Sequence, residues 1–316
     1  MFKPLGPPIV ISALNKGERS MFVLRELIKV TYVPLMLGGF LTAALYAVAG
    51  GYGFGALLVL LLLAIGISFA LERLVPYERQ WNQDRGDSWR DVLHAFVNEG
   101  ANASSVALLP LIVAIVPGFD IWPTDWPMWG QLFLAILIAD CGITLVHYAS
   151  HFYPILWRFH AVHHSVKRMY GFNGLMKHPL HQAIETVGGT CPLILMGIPL
   201  DVATLLAFAI AIQLLLQHSN VDVKIGVLRY VLALSPLHRF HHIKRPVEGD
   251  VNFGLFTTVW DRMLGTAVYD AERRFSSSDL GIGKEPDYPN GYLAQLIRPF
   301  KAPSKTEAAV PNQPVE

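Results

Sequence analysis

The chain has 316 residues, of which 53% are hydrophobic and only 16% are charged, whereas an ordinary soluble domain carries about a quarter charged residues. Its formal net charge is +1, so we expect no strongly basic surface and exclude nucleic acid as a partner. Two cysteines are too few for a disulfide framework. The composition therefore indicates an integral membrane protein.

Four apolar segments are long enough to cross a bilayer, which takes about 20 helical residues. They are residues 31–50, 54–72, 101–118 and 130–149. A later apolar pair, residues 183–199 and 202–217, is shorter, and the sequence leaves open whether it adds two spans or forms a re-entrant hairpin. We expect an all-α membrane protein with four or more transmembrane helices.

Basic residues are unevenly distributed among the predicted loops. The first 30 residues and the loop between the second and third spans carry Lys3, Lys16, Arg19, Arg25, Lys29, Arg73, Arg79, Arg85 and Arg90. Residues 49–55 and 120–129 carry no Lys or Arg. Because basic loops stay in the cytoplasm, we predict that the N-terminus and the chain from His147 onward face the cytoplasm. A lysine-rich retrieval tail is absent, which favours a bacterial inner membrane over the endoplasmic reticulum membrane of a eukaryote.

Three histidine clusters follow apolar segments. Their members are His147 and His151; His160, His163 and His164; and His238, His241 and His242. Residues three and four apart share a helix face, so we expect each cluster to point toward one place. Neutral imidazole binds iron, copper or zinc, and eight such ligands exceed one tetrahedral site. The pattern predicts two metal ions held by a helical cap on the cytoplasmic side, whereas a single such pair would more simply be a polar membrane edge.

Other polar residues near these clusters are candidates for supporting roles. His218 ends the last apolar run, and we predict that it is a ninth ligand. Asp140 stands two helical turns before His147, where it could accept a histidine N–H or make a polar contact between helices. Asn220 and Asn252, like Asp250 and Asp261, lie close to His218 or the last cluster, and each could orient a ligand or cap a loop. His178 precedes Pro179 and could be a ligand, a supporting residue or a helix cap, and we expect His94 at the surface.

Several stretches resemble the fatty acid hydroxylase/sterol desaturase superfamily: LWRFHAVHHS, QHSNV, SPLHRFHH, DVNFG and VWDRMLGT. The resemblance covers about residues 130–270. It implies a di-iron centre that uses O2 to hydroxylate or desaturate a lipid, such as a fatty acyl chain or a sterol. Carried onto this chain, the ligand positions are the three clusters and His218. His181 stands where the sterol-acting branch often has an acidic residue, which weakens a sterol assignment.

The same resemblance implies where substrate and electrons come from. The substrate is a membrane lipid, and the chain lacks a cytochrome b5-type H-P-G-G motif. We therefore predict a separate donor, which is a ferredoxin, a cytochrome b5-like protein or a reductase. The predicted organisation is a three-span anchor over residues 1–129, a catalytic domain over 130–270, and an extension with a disordered tail over 271–316. The alternative function is a structural or storage metal site without oxygenase turnover.

Overall fold

The computed structural model describes residues 15–301, and within that range it is helical and contains no β-strand longer than an isolated bridge. The helices are α1 (Lys16–Val33), α2 (Phe40–Ala49), α3 (Gly53–Leu74), α4 (Ser88–Ala107), α5 (Leu109–Ile115), α6 (Met128–Phe152), α7 (Pro154–His164), α8 (Pro179–Met196), α9 (Leu200–His218), α10 (Ser235–His241), α11 (Pro246–Gly249), α12 (Val259–Leu264) and α13 (Tyr292–Ile297). The predicted all-α fold is confirmed. The predicted disordered tail over residues 302–316 lies outside the described range, as do Lys3 and its neighbours.

Four helical segments are long and apolar enough to cross a membrane: Lys16–Ala49, Gly53–Leu74, Met128–Phe152 and Leu200–His218. The first is continuous because a π-helical turn, Pro34–Gly39, joins α1 to α2. Apolar side chains such as Val59 and Leu62 of α3 are more than half exposed, as lipid-facing residues would be. The multi-pass membrane fold is therefore confirmed, and three of the spans overlap predicted ones.

The predicted span over residues 101–118 is wrong as a straight helix. Helices α4 and α5 meet at a bend of 49°, because Pro110, in the first turn of α5, cannot donate the backbone hydrogen bond that would continue α4. Helix α4 also begins much earlier than predicted, at Ser88. Its His94 is fully buried and contacts the Lys177 carbonyl and Gln295 Oε1, both at 3.0 Å, so the expectation of a surface residue is wrong.

Helices α8 and α9 form an antiparallel hairpin over the later apolar pair. The turn uses Gly197, whose φ of 87° suits glycine. Helix α9 is long and apolar enough to span, whereas α8 is not among the candidate spans. Helix α8 lies instead close along α6: a Cβ atom added to Gly142 would come within 2.0 Å of the Gly188 carbonyl oxygen. Glycine at this crossing thus lets the two backbones approach each other.

Contacts between loops and helix ends define the two ends of the helix bundle. The Phe119 N–H donates to the Leu195 carbonyl at 2.7 Å, which places the α5–α6 loop beside the α8–α9 turn. At the opposite end, where α6 and α9 finish at their histidines, Lys29 pairs with Asp222 at 3.0 Å. The predicted common side of the N-terminal segment and the histidines agrees with this packing, while the compartment they face and the three-part domain division stay predictions.

Candidate metal centre

The structure brings all nine histidines predicted as ligands to one end of the helix bundle. They come from the last two turns of α6, from α7, from the end of α9, and from α10 with the residue after it. Their ligand atoms form two groups. The first group is His147, His151, His160, His164 and His241, and the second is His163, His218, His238 and His242. Within each group the ligand atoms all lie within 4.8 Å of one another.

The division corrects the expectation that each cluster points to one place. His160 and His164 belong to the first group, whereas His163 belongs to the second. Successive helical residues are rotated by about 100°, so adjacent His163 and His164 diverge although both lie within a turn of His160. The last cluster divides in the same way, with His241 in the first group and the other two in the second. Each of these clusters therefore serves both groups.

Carbonyl oxygens fix the tautomers of two histidines in the first group. His147 Nδ1 lies 2.8 Å from the Phe253 carbonyl, and His241 Nδ1 lies 2.8 Å from the Val251 carbonyl. Since a carbonyl only accepts hydrogen bonds, both Nδ1 atoms carry the proton, and each Nε2 presents a lone pair. These two Nε2 atoms face each other at 2.9 Å, an arrangement that is repulsive without a cation between them.

The second group repeats this arrangement. His163 Nδ1 lies 3.2 Å from the Met176 carbonyl, and His218 Nδ1 lies 3.1 Å from the Leu214 carbonyl. Their Nε2 atoms are 3.3 Å apart. Two nitrogens bound to one metal ion at about 2.0–2.1 Å, at angles of roughly 90–105°, would be separated by about 2.9–3.3 Å. Both groups therefore fit a metal ion.

Burial keeps the histidines of the cap in the ligand form. We call six of them the cap histidines: His160, His163, His164, His238, His241 and His242. Loss of solvent lowers the pKa of each well below its usual value, because a buried imidazolium is poorly solvated. They are therefore neutral at physiological pH, with lone pairs free for a metal.

Asp250 orients His151. Its Oδ1 lies 2.8 Å from His151 Nδ1, and burial raises the pKa of Asp250 to about 6, which leaves the carboxylate ionised at neutral pH. His151 Nε2 is buried and has no hydrogen-bond partner among the described residues. A carboxylate behind a ligand histidine fixes the orientation of the ring and raises its basicity. Asp250 therefore has the first of the two roles that the sequence left open for it, which is to orient a ligand.

Asp140 does not accept a histidine N–H, so that expectation is wrong. Its two oxygens accept from the backbone N–H groups of Leu255, Phe256 and Thr257 at 2.7–3.0 Å and from Thr257 Oγ1 at 2.7 Å. The loop held in this way continues from Phe253, whose carbonyl orients His147. Asp140 therefore positions a ligand through a loop rather than by contact.

Asn220 and Asn252 fix loops, which is one of the two roles that the sequence left open for them, and within residues 15–301 neither makes a hydrogen bond to a histidine. Asn220 Nδ2 donates to the carbonyl of Glu78 at 3.0 Å. Asn252 Nδ2 donates to the carbonyls of Leu237 and Val268 at 2.9 and 2.8 Å. Asn252 adopts a φ of 54° between the two residues whose carbonyls orient His241 and His147, so its effect on the centre is again indirect.

His178 is a helix cap, which is one of the roles that the sequence left open for it, and it belongs to none of the histidine groups. Its Nδ1 accepts from the Leu180 N–H at 3.1 Å, and its Nε2 donates to the Leu296 carbonyl at 3.1 Å, so neither nitrogen is free for a metal. His181, for which the sequence left metal binding open, does lie beside the ligand histidines. It is fully buried, its ring centroid lies 4.5 Å from that of His160, and it forms a third group with His160 and Glu185. The four-residue spacing of His181 and Glu185 on α8 is the signal that could have found it.

An apolar cavity of about 380 Å³ approaches the centre from the other end of the bundle. Its walls come from α4, α5, α8 and α9, together with Ile143 of α6 and Leu255. Leu214, whose carbonyl accepts from His218, lines it near the histidines, and Val116 and Leu195 line it near the far loops. Its predominantly apolar lining is what a site for a lipid chain requires.

Comparison with known proteins places these features in a family. Residues 132–266, which include all nine histidines, match the fatty acid hydroxylase family model. An ornithine lipid hydroxylase of Rhizobium tropici is 35% identical over 284 residues, which is 87% of this chain and 84% of the relative. The chain belongs to the fatty acid hydroxylase family. The predicted resemblance is thereby confirmed.

More distant relatives of this fatty acid hydroxylase family member match only about half of its length. Alkylglycerol monooxygenases of Danio rerio and Xenopus tropicalis are 29% and 27% identical over 152 residues, which is 48% of this chain and 33% of each relative. No solved structure matches the chain significantly. The family and the structure together support a histidine-rich metal site and hydroxylase chemistry.

Proposed function

We propose that the protein is a membrane monooxygenase that uses two iron ions and O2 to hydroxylate a lipid. The observation that carries this proposal is the pair of histidine groups with facing Nε2 lone pairs near one end of an apolar cavity. The names of the relatives, an ornithine lipid hydroxylase and alkylglycerol monooxygenases, support lipid hydroxylation. Each histidine group would hold one iron ion.

The overall reaction is R–H + O2 + 2 electrons + 2 H⁺ → R–OH + H2O. Bound iron supplies the oxidant for the unactivated C–H bond, a task beyond any side chain. The chain's own residues fix the imidazole rings through the carbonyls of Val251 and Phe253, exclude water, and align the lipid in the cavity. Desaturation is the second candidate reaction, since the same residues could serve it.

The two electrons require a partner. We propose a ferredoxin, a cytochrome b5-like protein or a reductase that docks at the histidine end of the molecule. By the distribution of basic loops, this end faces the cytoplasm, and the membrane is a bacterial inner membrane. The bacterial source of the 35% identical relative supports that location.

The test is to express the full chain in a bacterial host and compare extracted lipids by mass spectrometry. We expect a lipid one oxygen atom heavier that is absent with His163→Ala and present with the control Arg245→Ala, which changes an exposed residue. A lipid two hydrogens lighter would indicate desaturation. The proposal would be overturned if the protein carried zinc that iron cannot replace and no lipid were altered. That result would support a structural or storage metal site.

A further inference from the structure

Two charged residues line the cavity among the 24 that form its wall in residues 15–301, and they pair with each other. Lys177 Nζ lies 2.5 Å from Glu185 Oε2, and the two side chains are only 8% and 3% exposed. The pair sits at the histidine end, because Glu185 Oε1 is 3.8 Å from His181 Nδ1 and the His181 ring lies 4.5 Å from the His160 ring. The apolar wall thus ends in one cation and one anion beside the metal centre.

The pair has unused hydrogen-bonding capacity. An ammonium has three donors and a carboxylate about four acceptor sites, yet within residues 15–301 the Lys177 ammonium makes one hydrogen bond, to Glu185. The backbone beneath it is fixed, since the Lys177 carbonyl accepts from Asn98 and His94. The remaining donors and acceptors are therefore available to a ligand at a rigid position.

A hydrocarbon chain would gain nothing from this pair, and an uncharged headgroup could offer it hydrogen bonds but no opposite charge. A buried ion pair is often no more stabilising than apolar residues of similar size, and removing one partner leaves a costly unpaired charge. A headgroup with a single charge would pair with one of the two residues and would displace the other from that ion pair, leaving it unpaired. A headgroup that carries both an ammonium and a carboxylate can instead engage both members, charge for charge, and leave none of the four groups unpaired.

We infer that Lys177 and Glu185 select a zwitterionic lipid, with Lys177 binding the headgroup carboxylate, Glu185 binding its ammonium, and the apolar cavity holding an acyl chain. This inference rests on the proposed function for its link to turnover, but lipid binding can be measured without turnover. No covalent step is involved. The inference assigns the two residues to substrate choice, and because Glu185 also lies in the group with His160 and His181, the metal content of each variant is measured as well.

The test measures binding of three lipids to the full-length protein in detergent by native mass spectrometry. The probes are an ornithine lipid, which is zwitterionic, a phosphatidylglycerol, which is anionic, and a diacylglycerol, which is neutral. We expect the wild type to prefer the ornithine lipid over both others by about tenfold or more, the factor that one charge-assisted hydrogen bond supplies. Lys177→Met combined with Glu185→Gln should abolish that preference without weakening diacylglycerol binding.

A change of lipid preference in single variants distinguishes headgroup recognition by Lys177 and Glu185 from a structural role of the pair. Glu185→Gln should leave Lys177 free to favour phosphatidylglycerol over the ornithine lipid, and Lys177→Arg should keep the wild-type order. The control Arg245→Met with Glu248→Gln removes an equal pair of charges at the exposed surface and should change nothing. Metal content of each variant, measured in the same samples, verifies that the centre is folded.

Two results would overturn the inference. One is a wild type that binds diacylglycerol as tightly as the ornithine lipid, and the other is a lipid order unchanged in the folded Glu185→Gln variant. If the double variant does not fold, Lys177→Arg and Glu185→Gln still decide the matter. A zwitterion preference without lipid oxidation would leave this inference standing and contradict the proposed function, whereas oxidation of a neutral lipid with no preference would do the reverse.

Discussion

Replacing Asp140 by asparagine tests how the loop after Asn252 holds the metal centre. The carboxylate accepts four hydrogen bonds from residues 255–257. In Asp140→Asn the amide oxygen keeps the bonds at Leu255 and Phe256, but the new NH2 group faces the Thr257 N–H. A hydrogen bond to a charged group contributes about 1.5–3 kcal/mol. Losing one and weakening two others should lower the free energy of unfolding by about 3 kcal/mol.

The consequence for the centre is specific to one histidine group. The displaced loop carries the Phe253 carbonyl, which lies 2.8 Å from His147 Nδ1, and loss of such a partner typically reduces metal affinity by about 10–100-fold. We therefore expect metal content to fall from two ions toward one per chain, with a lower unfolding temperature in detergent. The matched control is Asp201→Asn, the same change at an exposed position in the first turn of α9. Full metal content and unchanged stability in Asp140→Asn would refute this reasoning.

Three further predictions follow from the geometry. His147→Ala and His218→Ala should each remove one of two metal ions, as counted by elemental analysis, because they belong to different groups; loss of both ions in each variant would contradict independent groups. Gly142→Ala should lower the unfolding temperature sharply, since the new Cβ would meet the Gly188 carbonyl oxygen at 2.0 Å, whereas Gly66→Ala has no atom within 4 Å and should be tolerated. The folded-state pKa of each cap histidine lies below its unfolded value, so the unfolded chain takes up protons first as the pH falls. The stability of the metal-free protein should therefore fall as the pH drops below about 6.5. An unfolding temperature that does not change between pH 7 and 5 would contradict this.

The sequence predicted the features that depend on local spacing. Helical periodicity placed His147 with His151, and hydropathy located three of the spans, because both depend on residues within one helix. The bend at Pro110 was also readable in principle, since proline interrupts the backbone hydrogen bonds, but the apolar run continued through it.

The predictions that were wrong concern features that depend on contacts between residues far apart in the sequence. Asp140 and Thr257 are far apart in sequence, and nothing local shows that the loop bearing Thr257 returns to α6. His94 resembles a surface residue in an arginine-rich loop until Lys177 and Gln295 cover it. The partners of His163 and His164 are equally non-local, because His164 is grouped with His147 and His151 of α6, whereas His163 is grouped with His218 of α9.

The central claim is that dioxygen supplies the oxygen atom that enters the lipid. The decisive measurement supplies isotopically labelled O2 to the purified, iron-loaded full chain with lipid and a reduced electron donor, and follows the product by mass spectrometry. We predict one labelled oxygen atom per product molecule, together with about two iron ions per chain. Product oxygen derived from water, or no product from protein that holds both irons and receives electrons, would contradict the account.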